Sequence, residues 1–205
     1  MKKKLDKKGL TLLELLFAFS IFLAVIFGVF TLYSISSKAD KNVWESSFVQ
    51  SLTSKAIQTF VDEIRTTNYS TVGGYPLALA STTEIIFYAN IDSDSLMERV
   101  RYFVDGDTFK KGITKPTGTL LYEYSTSTEE VSEIVYNLQT PVGTVFTYYD
   151  ENYNGATVTS SMSYPIFLPE IRVVGISLRV KQNSLSGSSI FEIQSKAQLR
   201  NLKTN

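Results

Sequence analysis

Twenty acidic and twenty basic side chains, with no histidine and no cysteine, set the reagents this chain commands. Ser-His-Asp triads, thiolate nucleophiles, His or Cys zinc sites, CxxC redox pairs and disulfides are all excluded. Carboxylates, amines and hydroxyls remain. Asp92 with Asp94, or Glu129 with Glu130 and Glu133, offer closely spaced acids of the kind a glycosidase pairs. Their spacing sets no acid opposite a base, and solvated loops account for them. Asp150-Glu151-Asn152-Tyr153-Asn154-Gly155 fits the first half of a calcium loop, but its twelfth position is Ser161 where a bidentate Glu is needed. A hairpin turn through Asn154-Gly155 explains the same residues without a metal. Lys110, Lys111 and Lys115 lie near Tyr102 and Phe109, a combination that can stack bases and hold phosphates. Lysines guarding a hairpin edge against pairing are the plainer explanation. These groups define no catalytic residue, no cofactor and no metal, and the chain reads as a non-enzyme with no nucleic-acid partner indicated.

Glu14 is the acid whose setting is unusual. Residues 15–33 carry no charge and are apolar apart from Ser20, Gly28 and Thr31. As a helix they span roughly 28 Å, close to a bilayer's hydrocarbon core. Lys2, Lys3, Lys4, Lys7 and Lys8 precede them, which places the N-terminus in the cytoplasm and residues 34–205 outside. Without residues 1–9 the chain keeps 15 basic and 19 acidic residues, a charge of −4, which does not favour a generally basic binding surface. A secretory signal has a shorter apolar region, so a membrane anchor fits better. A carboxylate at mid-membrane costs about 2.5–3.5 kcal/mol, and intramembrane acids are commonly functional. Glu14 stands among Leu12, Leu13, Leu15 and Leu16 at the cytoplasmic edge, where snorkelling lowers that cost.

Lys8-Gly9-Leu10-Thr11-Leu12-Leu13-Glu14, followed by the unbroken apolar run, resembles the processing and assembly signature of type IV pilins and pseudopilins. The resemblance implies cleavage by a prepilin peptidase between Gly9 and Leu10, N-methylation of Leu10, and assembly into a helical filament on a pilus assembly platform. Glu14 would set subunit register by meeting the Leu10 amine of a neighbour. In the outer region, Val100-Arg101-Tyr102 before Asp105-Gly106, and Phe146-Thr147-Tyr148-Tyr149-Asp150, are similar to J-type minor pseudopilins and PilW-like minor pilins. So are the strand opening at Pro169-Glu170-Ile171-Arg172 and the closing Leu199-Arg200-Asn201 run. The expected protein is a minor pilin subunit of a type IV pilus or pseudopilus, contacting other subunits through its outer domain. One tip type of subunit lacks the Glu, so Glu14 argues against that type. A pseudopilin of type II secretion or competence DNA uptake is the alternative, and an unprocessed, anchored binding domain is the second. The expected location is the cell membrane, crossed once, and then an extracellular or envelope-spanning filament.

The elements that position these groups follow from periodicity. Trp44, Phe48, Leu52, Ala56, Phe60 and Ile64 recur at fours, with Val49, Ile57 and Val61 beside them. One helix is predicted over 10–65, about 84 Å long at 1.5 Å per residue, its outer stripe packed on a sheet. Gly73-Gly74 opens a turn before Pro76. Strands are then predicted at 84–90, 98–104, 107–111, 120–124, 131–136, 144–149, 171–181 and 190–199, with a type I′ turn at Asp105-Gly106 and a Ser/Gly turn at 184–189. The fold class is α+β, a long helix followed by antiparallel strands. Its segments are a leader (1–9), a transmembrane polymerisation helix (10–35), an amphipathic helix (36–66) and a β-rich outer domain (67–205).

Overall fold

A computed structural model describes residues 11–118, 121–155, 160–184 and 187–202. The helical pattern that begins after Thr11 is realised as α1, Leu12–Arg65. The chain divides into two units, 1–45 and 46–205. In the first, the apolar residues of α1 face outward on every side: Leu12–Ser34 is long and apolar enough to cross a membrane and is not covered by protein. Its few hydroxyls are satisfied inside the helix, Ser20 donating to the Leu16 carbonyl at 2.8 Å and Thr31 to the Phe27 carbonyl at 2.7 Å. Such bonding lets a hydroxyl enter hydrocarbon without an orphaned donor.

In the second unit the helix becomes one-sided. Thr53, Ala56, Ile57, Phe60, Val61 and Ile64 are buried, with polar residues between them. The expected stripe is shorter than its periodicity suggests, since Phe48 is 64% exposed. The helix closes at Thr66, whose amide reaches the Glu63 carbonyl, and the Ser70–Gly74 turn follows with Gly73 at φ +79°.

Among the described residues, eight strands make two antiparallel sheets. The first runs in chain order: β1 (Leu77–Ala80), β2 (Glu84–Ala89), β3 (Glu98–Asp105), β4 (Thr108–Thr114) and β5 (Glu130–Val135). The second holds β6 (Phe146–Tyr149), β7 (Val173–Ser184) and β8 (Gly187–Gln198). Alternation assigns the faces. Ile85, Phe87, Val100 and Tyr102 lie in the core with Phe60, while Glu84, Arg99 and Arg101 occupy the opposite face. Phe60 packs against Tyr102 at 5.1 Å and Phe146 at 5.5 Å between ring centres, so one helical residue touches both sheets. The sheets are also joined by backbone: Val145 and Phe146 amides reach the Thr82 carbonyl, and Leu138 bridges Val180.

The α+β class holds, with local corrections. β1 was not predicted; its Leu-Ala-Leu-Ala sequence has little strand propensity and is held by pairing with β2. The strand predicted at 120–124 is absent among the described residues, where a Thr117–Glu123 bridge closes a short loop instead and β5 takes the place beside β4. Asp105 pairs with Thr108, so the central turn residues are Gly106 and Asp107; only Gly106 has positive φ, which matches a type II′ rather than a type I′ turn. The β7–β8 ladder extends to Ser184 and Gly187, shortening the predicted turn.

Candidate functional site

The N-terminal candidate begins with how the helix starts. Gly9 and Leu10, the expected cleavage and methylation positions, lie outside the described residues. Thr11 immediately precedes α1, and its Oγ1 accepts the Glu14 amide at 3.3 Å. Thr11-Leu12-Leu13-Glu14 therefore has the spacing of a capping box, in which a hydroxyl satisfies an amide left free by the first turn. The Glu14 side chain is exposed in that turn, at the positive end of the helix dipole. The T-x-x-E pattern is the sequence signature of such a cap. What the arrangement offers chemically is one carboxylate at the head of an apolar helix, open to a partner cation.

The outer unit separates the acids that sequence proximity grouped together. Glu129 lies over Gly112 and pairs with Arg101 at 3.2 Å, while Arg101 also bonds Glu84 at 2.6 Å. Glu133 instead holds Lys110 at 3.1 Å, and Glu130 is exposed. No acid–base pair facing a cleft results from this set. Asp150 uses its carboxylate on the amide and side chain of Asn152, at 3.0 and 2.8 Å. The Asn154-Gly155 segment belongs to the β6–β7 connection, and the expected hairpin turn there gives way to a turn just before it, where the Tyr153 amide reaches the Asp150 carbonyl at 3.3 Å. An open cleft of about 310 Å³ lies beside it, lined by Asp150, Glu151, Asn152, Glu170 and Arg172. The guanidinium there is engaged by backbone, donating to the Pro169 carbonyl at 2.6 Å.

The lysine cluster is dispersed as well. Lys110 pairs with Asp105 at 3.0 Å, Lys111 with Glu63 at 2.5 Å and Lys115 with Asp92 at 2.5 Å. Tyr102 and Phe109 are fully buried, so they form core and not a stacking surface. Glu63 also accepts the Tyr102 hydroxyl at 2.8 Å, which ties the helix to β3 and β4. Burial, then the Glu63 charge, pushes the Tyr102 hydroxyl far above its ordinary range.

Asp92 and Asp94 do come together with a third acid, one that no motif marks in the sequence. Glu98, at the start of β3, is fully buried and joins them at the β2–β3 loop. Burial raises its pKa, whereas the Lys115 hydrogen bond lowers that of Asp92. The signal was present in the two strands flanking residues 90–97, because a hairpin returns its second strand to the loop that left the first. In comparisons with known proteins, no family model matches this chain and no curated protein matches its sequence.

Proposed function

We propose that the chain is a prepilin, cut between Gly9 and Leu10 and built as a minor subunit into a type IV pilus or pseudopilus. The observation that carries this reading is a sequence of three features at one helix start. Gly9-Leu10 precedes it, Glu14 lies four residues beyond Leu10, and Leu12–Ser34 follows as apolar helix uncovered by protein. Cutting after Gly9 creates an amine on Leu10 with an ordinary pKa of about 7.7–8.0, largely charged at neutral pH. In a filament core that ammonium needs an anion, and Glu14 of an adjacent subunit supplies one. Removing one partner of a buried pair costs about 3–5 kcal/mol, a penalty that falls on misplaced subunits. The apolar helix then trades lipid contact for contact with other helices, while the outer unit faces other minor subunits.

Mass spectrometry of the native protein tests this directly. The expected mature chain begins at Leu10 and carries one methyl group on its amine. A chain retaining residues 1–9 in every cell fraction overturns the proposal and leaves an anchored outer domain.

A further inference from the structure

We propose that the β2–β3 loop is a calcium site, with Asp92, Asp94, Glu98 and the side-chain carbonyl of Asn90 supplying oxygen ligands. One oxygen from each of the three acids lies within 4.8 Å of the others. Oxygens bound to one calcium at roughly 2.3–2.6 Å can be no more than about 5 Å apart, so the three acids meet that limit. An acidic cluster alone would be ordinary surface chemistry, but two sealed oxygens distinguish this one.

Glu98 is fully buried; its Oε2 accepts the Ile91 amide at 3.0 Å, while Oε1 is closed off from solvent with no hydrogen-bond partner. Asn90 Oδ1 is likewise sealed and unpartnered, although its Nδ2 donates to the Asp94 carbonyl. Sealed acceptors without donors are costly and uncommon in folded proteins. A cation satisfies both and offsets the acids together. Lys115 does not do so: its exposed ammonium reaches Asp92 Oδ2 and leaves Glu98 Oε1 and Asn90 Oδ1 unserved.

The loop is braced for the task. Leu96 donates its amide to Asp94 Oδ1 at 2.5 Å, Met97 donates its own to Thr71 Oγ1 at 2.8 Å, and the Tyr124 hydroxyl holds the Met97 carbonyl. Calcium suits an irregular set of carboxylate and amide oxygens, whereas magnesium demands a near-ideal octahedron.

The test uses the full chain in detergent micelles, stripped with a chelator and titrated with calcium chloride or magnesium chloride. Calorimetry and thermal melting are read together. The expected result is one calcium per chain, a raised melting temperature, and magnesium binding at least tenfold weaker. Asp94→Asn and Glu98→Gln each weaken calcium at least tenfold, and Asp150→Asn leaves it unchanged. Asp94 is exposed, so its variant decides the matter even where Glu98→Gln fails to fold. Lys115→Met lowers the melting temperature of the calcium-free chain, and calcium restores it. No binding at about 10 mM calcium, above the range of weak extracellular sites, overturns the proposal. So does undiminished binding by Asp94→Asn, loss of binding in Asp150→Asn, or failure of calcium to restore Lys115→Met.

Discussion

Thr11 and Glu14 meet at the N-cap and third position of α1, so a carboxylate proposed for subunit register also belongs to a helix-start motif. The two roles separate by substitution. Gln serves a capping box as Glu does but carries no charge. Glu14→Gln and Glu14→Ala should both be inserted and cut, then be depleted from sheared filaments on immunoblots. Thr11→Ala should lose about 0.5–2 kcal/mol of helix-start stability and still enter filaments. Normal incorporation of Glu14→Gln would show that capping alone is what the position provides. In the outer unit, Tyr102→Phe removes one donor from Glu63 and leaves Lys111 as its partner. We expect a loss of about 1–3 kcal/mol in denaturant unfolding. Glu14 stood out in the sequence because a charge interrupts an apolar run, but Glu98 had no such mark. Its importance depends on burial and on which oxygen is left without a donor, and neither is a property of the chain read as a string.

At the scale of elements, α1 changes its pattern along its length. Its first part is apolar all round and its last part is apolar on one side, where Phe60 meets Phe87, Tyr102 and Phe146. Phe60→Ala should cost about 3–5 kcal/mol because the cavity opens between a helix and two sheets. Phe48→Ala, on the same row but exposed, should change stability by no more than about 0.5 kcal/mol. Equal losses in urea titrations of the two variants would contradict the observed limit of the buried stripe. Gly112 makes a sharper case within β4. A Cβ there would sit 2.4 Å from Glu129 Oε1, so Gly112→Ala must displace the acid that Arg101 holds. Destabilisation by Gly112→Ala that disappears in an Glu129→Ala background would establish that collision as the cause. β2 and β3 were readable because β-branched and aromatic residues are concentrated in them. β1 was not, since its alanines and leucines become a strand only through β2's hydrogen-bond edge.

For the whole molecule, two buried hydroxyls link the core to alkaline pH. Tyr102 and Tyr148 are both pushed well above the ordinary tyrosine value of 10.0, burial being the leading cause in each. Above that pH the unfolded chain releases protons that the folded chain keeps. The folded state therefore binds more protons, and its stability, fully present below pH 10, falls as pH rises further. Each tyrosine contributes a slope of up to about 1.4 kcal/mol per pH unit. Denaturant midpoints measured upward from about pH 8 should stay level on this account until near 10 and then drop; Tyr148→Phe should drop less steeply. An identical slope in that variant would remove Tyr148 from the explanation. The sequence by itself determined the α+β class, the membrane-length helix and most of the strands, because periodicity and uninterrupted apolar length are local physical constraints. Tertiary structure decided which charges meet. It sent Lys110, Lys111 and Lys115 to different acids, divided Glu129 from Glu133, and gathered Asp92, Asp94 and Glu98 at one loop. Charge pairing depends on distance through space and on burial, and both arise only when the sheets close around their core.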